Sequence, residues 1–301
     1  MTLAAVIATY VELNQSMGMR FQVDAALLRA FQRHAGDVDL AAVTPDVLVG
    51  FLRPRAQVTS TWLMKHRALR RLFQYAITRG LATHSPVPTT VPRVPETFVP
   101  HIYTEDELRR LLAGVPANQA RVRCTISATT YRAVLLLLYG AGLRLGELLA
   151  LRREDVDLVN GTLLIREAKF YKSRQLPVGP RLMQVLAEVA APPRAAAFFV
   201  NRHGQPIPLA TIECNFHALR TAVGVRGRLH DLRHTVAVHR LLAWYREGGD
   251  VQRHLPHLST YLGHARIACT QRYLTMIPAL LEQASQRFET YACGEVPHAA
   301  R

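Results

Sequence analysis

The chain has 301 residues, and its 37 Lys and Arg outnumber its 22 Asp and Glu, which gives a formal net charge of +15 at pH 7. Apolar residues account for 49% of the chain and charged residues for 20%, so there is ample material for a buried core and wholesale disorder is excluded. Uninterrupted apolar runs such as residues 133–138 are far shorter than the roughly 20 residues that a membrane-spanning helix needs.

The start of the chain and its cysteines indicate a cytoplasmic protein. No basic segment followed by an apolar one opens the sequence, so we expect no secretory signal. The four cysteines are widely spaced and form no CxxC pair. This spacing is typical of reduced thiols and argues against a disulfide framework or a zinc site.

The N-terminal stretch predicts helices, because apolar residues recur at steps of three and four. The predicted helices span residues 2–16, 23–34, 45–52 and 59–79. Thr44-Pro45 is a typical helix start, with proline at the first helical position. On the last of these helices Arg67, Arg70 and Arg71 fall opposite the apolar face, while Lys65 falls on the apolar side.

Charge is distributed unevenly in this part of the chain. Residues 47–95 contain no Asp or Glu but eight Lys and Arg. Together with the net charge, this makes nucleic acid the first partner to consider, although an anionic membrane surface or no such partner remains open. The candidate phosphate-binding residues are Lys65, Arg67, Arg70 and Arg71, and the alternative is an ordinary solvated face.

A proline-rich segment then divides the chain. Five prolines lie between residues 86 and 100, which is typical of an extended, moderately stiff linker. Thr104 and Glu107 form the pattern of a capping box, so a helix is expected to begin there. We therefore predict a helical N-terminal domain over 1–86, a linker over 87–103 and a second domain over 104–301.

The second domain is predicted to be mainly α with a small antiparallel β-sheet. Asn160-Gly161 is a type I′ hairpin signal between two apolar runs. The predicted strands span residues 156–158, 162–165 and 175–178. The predicted helices span residues 105–113, 128–139, 181–189, 209–222, 230–245 and 279–291.

Several residues of this domain could carry chemistry. His230 and Arg233 are three apart, so on a helix they point the same way. His230 and His234 have the i, i+4 spacing of metal ligands, but the glutamate of HExxH is missing, so we predict no metal site. Arg144 follows an apolar run and needs an anionic partner, which is either Glu147 in a structural ion pair or a bound phosphate.

In chain order, Arg144, Lys169, His230-x-x-Arg233, His264 and Tyr273 resemble the Arg–Lys–His-x-x-Arg–His/Trp–Tyr signature of the tyrosine recombinase (phage integrase) family. The matching segments are Gly-Leu-Arg-Leu-Gly-Glu (142–147), Lys-Phe-Tyr-Lys-Ser-Arg (169–174), His-Asp-Leu-Arg-His-Thr (230–235) and Leu-Gly-His (262–264). Each match is weak alone, but their order and spacing together are specific. Phe170-Tyr171 stands where glycines are common in the family, which leaves Lys172 as a second candidate for the lysine.

The resemblance implies a two-domain architecture with a helical core-binding domain and an α+β catalytic domain. It also implies that Tyr273 attacks a DNA phosphodiester to give a 3′-phosphotyrosine, while Arg144, Arg233, His230 and His264 stabilise the phosphoryl charge. Lys169 would donate a proton to the leaving 5′ oxygen. The catalysis implied needs neither a metal ion nor another cofactor, and rejoining needs no ATP. Glu147 would hold neighbouring side chains in place.

We thus expect an enzyme that recombines double-stranded DNA at specific sites, as the integrase or transposase of a mobile genetic element. A resolvase of chromosome or plasmid multimers and a catalytically silent DNA-binding protein remain alternatives. The resemblance further implies a homotetramer on two DNA sites, a nucleoid-associated bacterial location and no membrane partner. Apolar residues of the helix over 278–292 are expected to dock on a neighbouring protomer or to pack on their own domain.

Overall fold

The computed structural model describes residues 1–54, 58–93, 99–166, 173–189, 196–276 and 285. The chain divides into two compact units, Met1–Phe98 and Val99–Arg301. No helix among the described residues is long and apolar enough to cross a membrane.

The N-terminal unit contains the four helices that the apolar periodicity predicts. They are α1 (Leu3–Ser16), α2 (Gln22–Ala35), α3 (Pro45–Leu52) and α4 (Ser60–Thr78), with a 3-10 turn at Leu40–Ala42. The Thr2 hydroxyl caps α1 by accepting from the Ala5 amide at 3.3 Å. The apolar face of α4 packs against the other three helices and forms the core of the unit.

Both ends of the predicted linker pack into a core. Val87 is buried in the N-terminal core, and the Pro88 carbonyl lies 2.7 Å from His66 Nε2. Tyr103 is fully buried in the second unit, where its amide donates to Thr235 Oγ1 at 3.0 Å. The stretch that belongs to neither core is therefore shorter than 87–103.

The C-terminal unit is mainly helical around one small sheet, which confirms the predicted fold class. Its helices are α5 (Glu105–Gln119), α6 (Ala128–Gly140), α7 (Leu145–Leu149), α8 (Pro180–Val189), α9 (Leu209–Ala222), α10 (Asp231–Arg246), α11 (Val251–Leu262) and α12 (Ala268–Met276). The sheet is antiparallel with the order β1 (Val156–Asp157), β2 (Thr162–Ile165) and β3 (Arg174–Pro177). The Thr104 capping box at the start of α5 is present as predicted.

The β1–β2 turn differs from the predicted type I′ hairpin. Asp157 pairs with Thr162, so four residues make the connection instead of two. The Asp157 carboxylate accepts from the amides of Val159 and Asn160, at 3.1 and 2.9 Å. Of the turn residues only Gly161 has a positive φ, +66°, whereas a type I′ turn needs positive φ at two positions.

Three helices that carry or adjoin the candidate site residues were not predicted from the sequence. The short helix α7 follows Gly142, α11 lies between Arg233 and His264 in the chain, and α12 carries Tyr273. Helices α10, α11 and α12 pack around their own apolar cluster, which includes Leu258, Leu262 and Tyr273. The main core lies between α5, α6, α8, α9 and the sheet.

Candidate active site

Arg144 and Glu147 lie at the start of α7 and contact each other. Arg144 Nη1 donates to Glu147 Oε1 at 2.7 Å, and the Arg144 amide donates to Oε2 at 3.1 Å. Arg144 Nη2 donates to the Gly263 carbonyl at 3.0 Å, which ties α7 to the loop after α11. The Arg144 side chain keeps 29% of its surface exposed, whereas Glu147 keeps 8%. The structural ion pair is thus present, and Arg144 still faces solvent.

A second arginine, Arg174 on β3, holds the other side of Glu147. Its Nη2 lies 2.8 Å from Oε2 and its Nη1 lies 3.2 Å from Oε1. Burial of the Glu147 carboxyl raises its pKa, but the hydrogen bonds and charge of Arg174 and the bonds from Arg144 outweigh burial and lower the pKa to about 2. Glu147 is therefore ionised between two guanidinium groups.

Gly263 has no side chain, so the guanidinium of Arg174 can pack directly on the backbone at the end of α11. It ends α11 in the left-handed conformation, with φ +67°. A Cβ at this position would lie 2.6 Å from Arg174 Nη1. Arg174 Nε also donates to the Tyr261 carbonyl at 3.2 Å. The Leu262-Gly263-His264 segment is thus fixed by a guanidinium that packs on its backbone.

Arg233 on α10 is buried, with 3% of its surface exposed. Its two terminal nitrogens donate to the backbone carbonyls of Gly142 and Leu262. Burial of the guanidinium and the nearby positive charge of Arg144 lower its pKa to about 10, although Glu147 and Tyr273 oppose the shift. Arg233 keeps its charge at neutral pH, and the neighbourhood of Arg144 and Arg233 can hold an anion.

Two histidines, His264 and His230, lie close enough to Arg144 and Arg233 to be affected by their charges. His264 Nδ1 is 2.8 Å from the Thr270 hydroxyl, and burial of the ring together with Arg233 and Arg144 lowers its pKa to about 4. His230 lies at the exposed edge of the cluster, at the N-terminus of α10. Burial of part of its ring and the charge of Arg233 lower its pKa as well. Both rings are neutral at pH 7, each with one N–H to donate.

Tyr273 is buried among α10, α11 and α12, with 4% of its surface exposed. Its hydroxyl lies 2.7 Å from Nδ1 of His234. Its ring centroid lies 5.6 Å from that of His234 and 6.4 Å from that of His264. Burial raises the pKa of the phenol, and the charges of Arg233 and Arg144 oppose this. At neutral pH the phenol is therefore protonated.

Residues 102–278 match the phage integrase family. A protein of Sinorhizobium fredii named as an integrase/recombinase (y4rB) is 31% identical over 305 residues, covering 96% of this chain and 97% of that protein. The chain belongs to the phage integrase family. The predicted enzyme class, a tyrosine-type DNA recombinase, is thereby confirmed.

Solved structures of two integrases share the fold of this chain. The Tn1549 transposon integrase in complex with transposon right end DNA has a TM-score of 0.70 at 16% identity, covering 97% of this chain and all (100%) of that one. A lambda integrase tetramer bound to a Holliday junction has a TM-score of 0.67 at 18% identity, covering 91% of this chain and 77% of that one. At such identities the likeness concerns the fold.

Most residues of the family signature lie within the described part of the chain and close to one another. The structure brings Arg144, His230, Arg233, His264 and Tyr273 together with Glu147. Lys169 and its alternative Lys172 lie outside the described residues. The helix predicted over 278–292 also lies outside them, apart from Ser285.

Two residues of the site were missed by the sequence reasoning. Arg174 is the last residue of the 169–174 segment that matches the family. The signal that could have identified it as a site residue was its place directly before a predicted strand and just after the candidate lysines. His234 was considered only as a metal ligand. Its ring stands nearly perpendicular to that of His230, at a centroid distance of 5.0 Å, and its Nδ1 faces Tyr273.

Among the described residues no group of three or more His, Cys, Asp or Glu is arranged to hold a metal ion.

The predicted phosphate-binding residues of α4 differ in their exposure and in their contacts. Arg67, Arg70 and Arg71 are exposed, and Arg71 Nη1 pairs with Asp24 at 3.1 Å. Lys65 instead lies against the core, where its amino group donates to the Phe51 carbonyl at 3.0 Å and sits 4.2 Å from the centre of the Phe51 ring. Arg67 and Arg70 are therefore the better candidates for phosphate contacts.

Proposed function

We propose that this recombinase cuts and rejoins double-stranded DNA at specific sites through a 3′-phosphotyrosine on Tyr273. The observation that carries the proposal is the burial of Arg233 beside Tyr273. Burying a guanidinium is unfavourable unless anions offset its charge. Both terminal nitrogens of Arg233 donate to neutral carbonyls, and the charge of Glu147 does not prevent burial and Arg144 from lowering the pKa of Arg233, so a further anion is favoured there. A DNA phosphate between Arg144 and Arg233 supplies that anion.

The chemistry follows from this placement. The Tyr273 oxygen attacks phosphorus, the bond from phosphorus to the 5′ oxygen breaks, and charge accumulates on the nonbridging oxygens. Arg144 and Arg233 stabilise that charge with guanidinium hydrogen bonds, and the N–H groups of His230 and His264 add to them. Lys169 protonates the leaving 5′ oxygen. Rejoining is the reverse reaction and needs no ATP, since the phosphotyrosine keeps the energy of the phosphodiester.

Glu147 acts on this site through Arg144. Its carboxylate accepts from both the side chain and the amide of Arg144, so it orients the guanidinium without facing the phosphate. The ion pair with Arg174 keeps Glu147 itself in place. We assign Glu147 a positioning role.

DNA is the partner that the charge distribution favours. The interval 47–95 contains no acidic residue, and α4 within it exposes Arg67 and Arg70. Cations on one helix face neutralise phosphates without reading the base sequence. The Tn1549 and lambda integrases of similar fold were both solved with DNA, which supports the same partner here.

We further propose a homotetramer on two DNA sites, joined through the helix over 278–292, and a role in moving a mobile genetic element. The lambda integrase structure of similar fold is a tetramer. A relative that matches this chain almost end to end is named as an integrase/recombinase. The tetramer supports the proposed assembly, and the name of the relative supports the role in a mobile element.

A nicked suicide substrate tests the proposed chemistry. The nick releases a short product after cleavage, so the covalent protein–DNA adduct accumulates. We expect wild type to form the adduct and Tyr273→Phe to form none. Tyr75→Phe, a change in the N-terminal unit, is the matched control and should cleave like wild type. An equal amount of adduct with Tyr273→Phe contradicts the proposal.

Sequencing the trapped DNA tests the biological role. Adducts formed in cells are cut from genomic DNA and their junctions are read. Junctions at the ends of a mobile element support the integrase role. Junctions at a single site per replicon, independent of any element, favour the resolvase.

A further inference from the structure

The hydroxyl of Tyr273 has a defined protein partner before any substrate is present. His234 on α10 and Tyr273 on α12 are 39 residues apart, and Nδ1 lies 2.7 Å from the phenol oxygen. The imidazole is half-buried and the tyrosine almost fully buried. Both positions are therefore set by the packing of α10 against α12.

The direction of this hydrogen bond follows from the basicity of its two atoms. An unprotonated imidazole nitrogen is a much stronger acceptor than a neutral phenol oxygen, so the phenol O–H donates to Nδ1. Burial, then the neighbouring His230, lowers the pKa of His234 to about 4, with Asp231 opposing and Arg233 and Arg228 adding to the shift. His234 is thus neutral at pH 7 and has a nitrogen available to accept this proton.

The other histidines of the cluster do not have this contact. Nδ1 of His264 faces the Thr270 hydroxyl at 2.8 Å, and its ring centre is 6.4 Å from that of Tyr273. His230 contacts His234 edge to face. Within the described part of the chain, His234 is the side chain hydrogen-bonded to the oxygen of Tyr273.

We propose that His234 accepts the proton of Tyr273 during strand cleavage and returns it during rejoining. This rests on the proposed function, in which Tyr273 is the nucleophile. As the bond from the Tyr273 oxygen to phosphorus forms, the phenol proton moves to Nδ1, and the bond from phosphorus to the 5′ oxygen breaks. The leaving oxygen takes its proton from a different group, Lys169, so cleavage moves one proton at each end.

The timing of the transfer follows from the charges around the pair. In the free protein the phenol holds its proton far more strongly than His234 would. A bound phosphate places negative charge beside Arg233 and so offsets one cause of the low basicity of His234. Bond formation to phosphorus then removes the basicity of the phenol oxygen itself. The proton therefore transfers as the new bond forms, and Tyr273 stays protonated when no DNA is bound.

His234→Asn separates the hydrogen bond from the proton transfer. The Asn carboxamide oxygen can occupy the place of Nδ1 and accept the hydrogen bond, but it cannot take the proton. Single-turnover cleavage of the suicide substrate should fall by roughly 100-fold or more, while DNA affinity and thermal stability stay near those of wild type. Cleavage by the variant should also rise with pH, because hydroxide must then remove the proton.

The chain offers a matched control on the same helix. His239 lies on α10 and its Nδ1 is 2.9 Å from the hydroxyl of Tyr139, a pair of the same kind away from the phosphate site. His239→Asn should leave the cleavage rate unchanged. If it slows cleavage as much as His234→Asn, the effect arises from the helix and the inference is wrong.

A substrate with sulfur in place of the 5′ oxygen identifies which proton is involved. A thiolate leaves without protonation, so this substrate should restore cleavage by Lys169→Ala but not by His234→Asn. Restoration of His234→Asn would assign His234 to the leaving group and overturn the inference. A wild-type rate of His234→Asn on the ordinary substrate would overturn it too.

A second variant keeps the test independent of how well Asn is tolerated. His234→Ala opens space beside Tyr273, and free imidazole should restore cleavage in proportion to its unprotonated fraction. Unchanged cleavage by His234→Ala without imidazole contradicts the inference. Tyr273→Phe separates the two proposals: if it still forms the adduct, the nucleophile assignment fails, whereas loss of the adduct together with wild-type His234→Asn defeats only the inference about His234.

Discussion

Glu147 and Arg174, 27 residues apart in the chain, form a two-bond ion pair at distances of 2.8 and 3.2 Å. Their side chains keep 8% and 11% of their surface exposed. The pair joins β3 to the start of α7, and through Arg144 it reaches the proposed phosphate site. Much of the order of that site thus depends on a residue outside the family signature.

Replacing Arg174 should destabilise the catalytic unit strongly. Arg174→Ala leaves the buried Glu147 carboxylate with Arg144 as its remaining arginine partner, so the loss should lie at or below the lower end of the about 3–5 kcal/mol that an unpaired buried charge costs. Arg109→Ala is the control, since it removes an exposed pair with Glu105 worth at most about 1 kcal/mol. Urea unfolding of both variants measures the difference. Equal losses of unfolding free energy would contradict the role assigned to Arg174.

Stability at low pH should depend on Glu147. Its folded-state pKa of about 2 lies below the ordinary value of 4.5, so its contribution is fully present above pH 4.5 and is lost as the pH falls through about 2. The shift corresponds to about 3 kcal/mol. The stability difference between wild type and Glu147→Gln should therefore shrink as urea unfolding is repeated from pH 5 down to pH 2. A constant difference over this range would argue against the ion pair.

A side chain at Gly263 should displace the guanidinium of Arg174 from its place beside Glu147. Gly263→Ala adds a Cβ 2.6 Å from Arg174 Nη1 at a position with φ +67°. Gly204→Ala is the matched control, because its φ is +73° and no atom lies within 4 Å of the added Cβ. The control pays only the backbone strain of about 1 kcal/mol, so Gly263→Ala should lose clearly more unfolding free energy and also cleavage activity. Equal losses would mean that the contact with Arg174 is unimportant.

Thr270 should matter through His264. Its buried hydroxyl lies 2.8 Å from His264 Nδ1, and the neutral ring can accept a hydrogen bond there when its N–H is on Nε2, the tautomer that we assign to it. This leaves the N–H on Nε2, available for a phosphate oxygen. Thr270→Val removes the hydroxyl at similar volume and should slow cleavage by roughly fivefold with unchanged DNA affinity. Thr260→Val, which removes a hydroxyl that donates to the Pro256 carbonyl of its own helix, should cleave normally.

DNA binding should depend on Arg67 and Arg70 more than on Arg71. Each phosphate contact contributes about 0.9 to the slope of log affinity against log salt, so the double change Arg67→Ala with Arg70→Ala should flatten the slope by up to about 2. Arg71 is paired with Asp24, so Arg71→Ala should change the slope less. Fluorescence anisotropy over a salt series provides the slopes. A wild-type slope for the double variant would show that Arg67 and Arg70 do not contact DNA phosphates.

Local features of this protein could be predicted from the sequence with useful accuracy. The predicted bounds of α3, β2 and α9 agree with the structure, and the capping box at Thr104 is present. Helical periodicity, caps and strand alternation depend on residues only a few positions apart. The β1–β2 turn was mispredicted because the side chain of Asp157, outside the dipeptide signal, organises it.

In the candidate site, too, the features that follow a sequence pattern were predicted, whereas contacts between distant residues were not. The order and spacing of the signature residues, including Lys169 and His230, predicted the family. Of these residues Arg144, His230, Arg233, His264 and Tyr273 do lie together in the structure. Glu147 was considered as a partner of Arg144, but the contacts of Arg174, His234 and Lys65 were not predicted. Arg174 reaches Glu147 and the Tyr261 carbonyl, and Lys65 turns towards Phe51 although its place in a basic helix suggested DNA.

The sequence by itself therefore determined the fold class, the enzyme family and the residue types available for phosphoryl chemistry. Only the tertiary structure decided that His234 faces Tyr273, that Arg174 fixes Glu147 and that Asp24 pairs with Arg71. These contacts join residues 39, 27 and 47 positions apart. Their partners are selected when helices and strands pack, because a polar group that loses water on burial must find a donor or acceptor on whichever element arrives beside it.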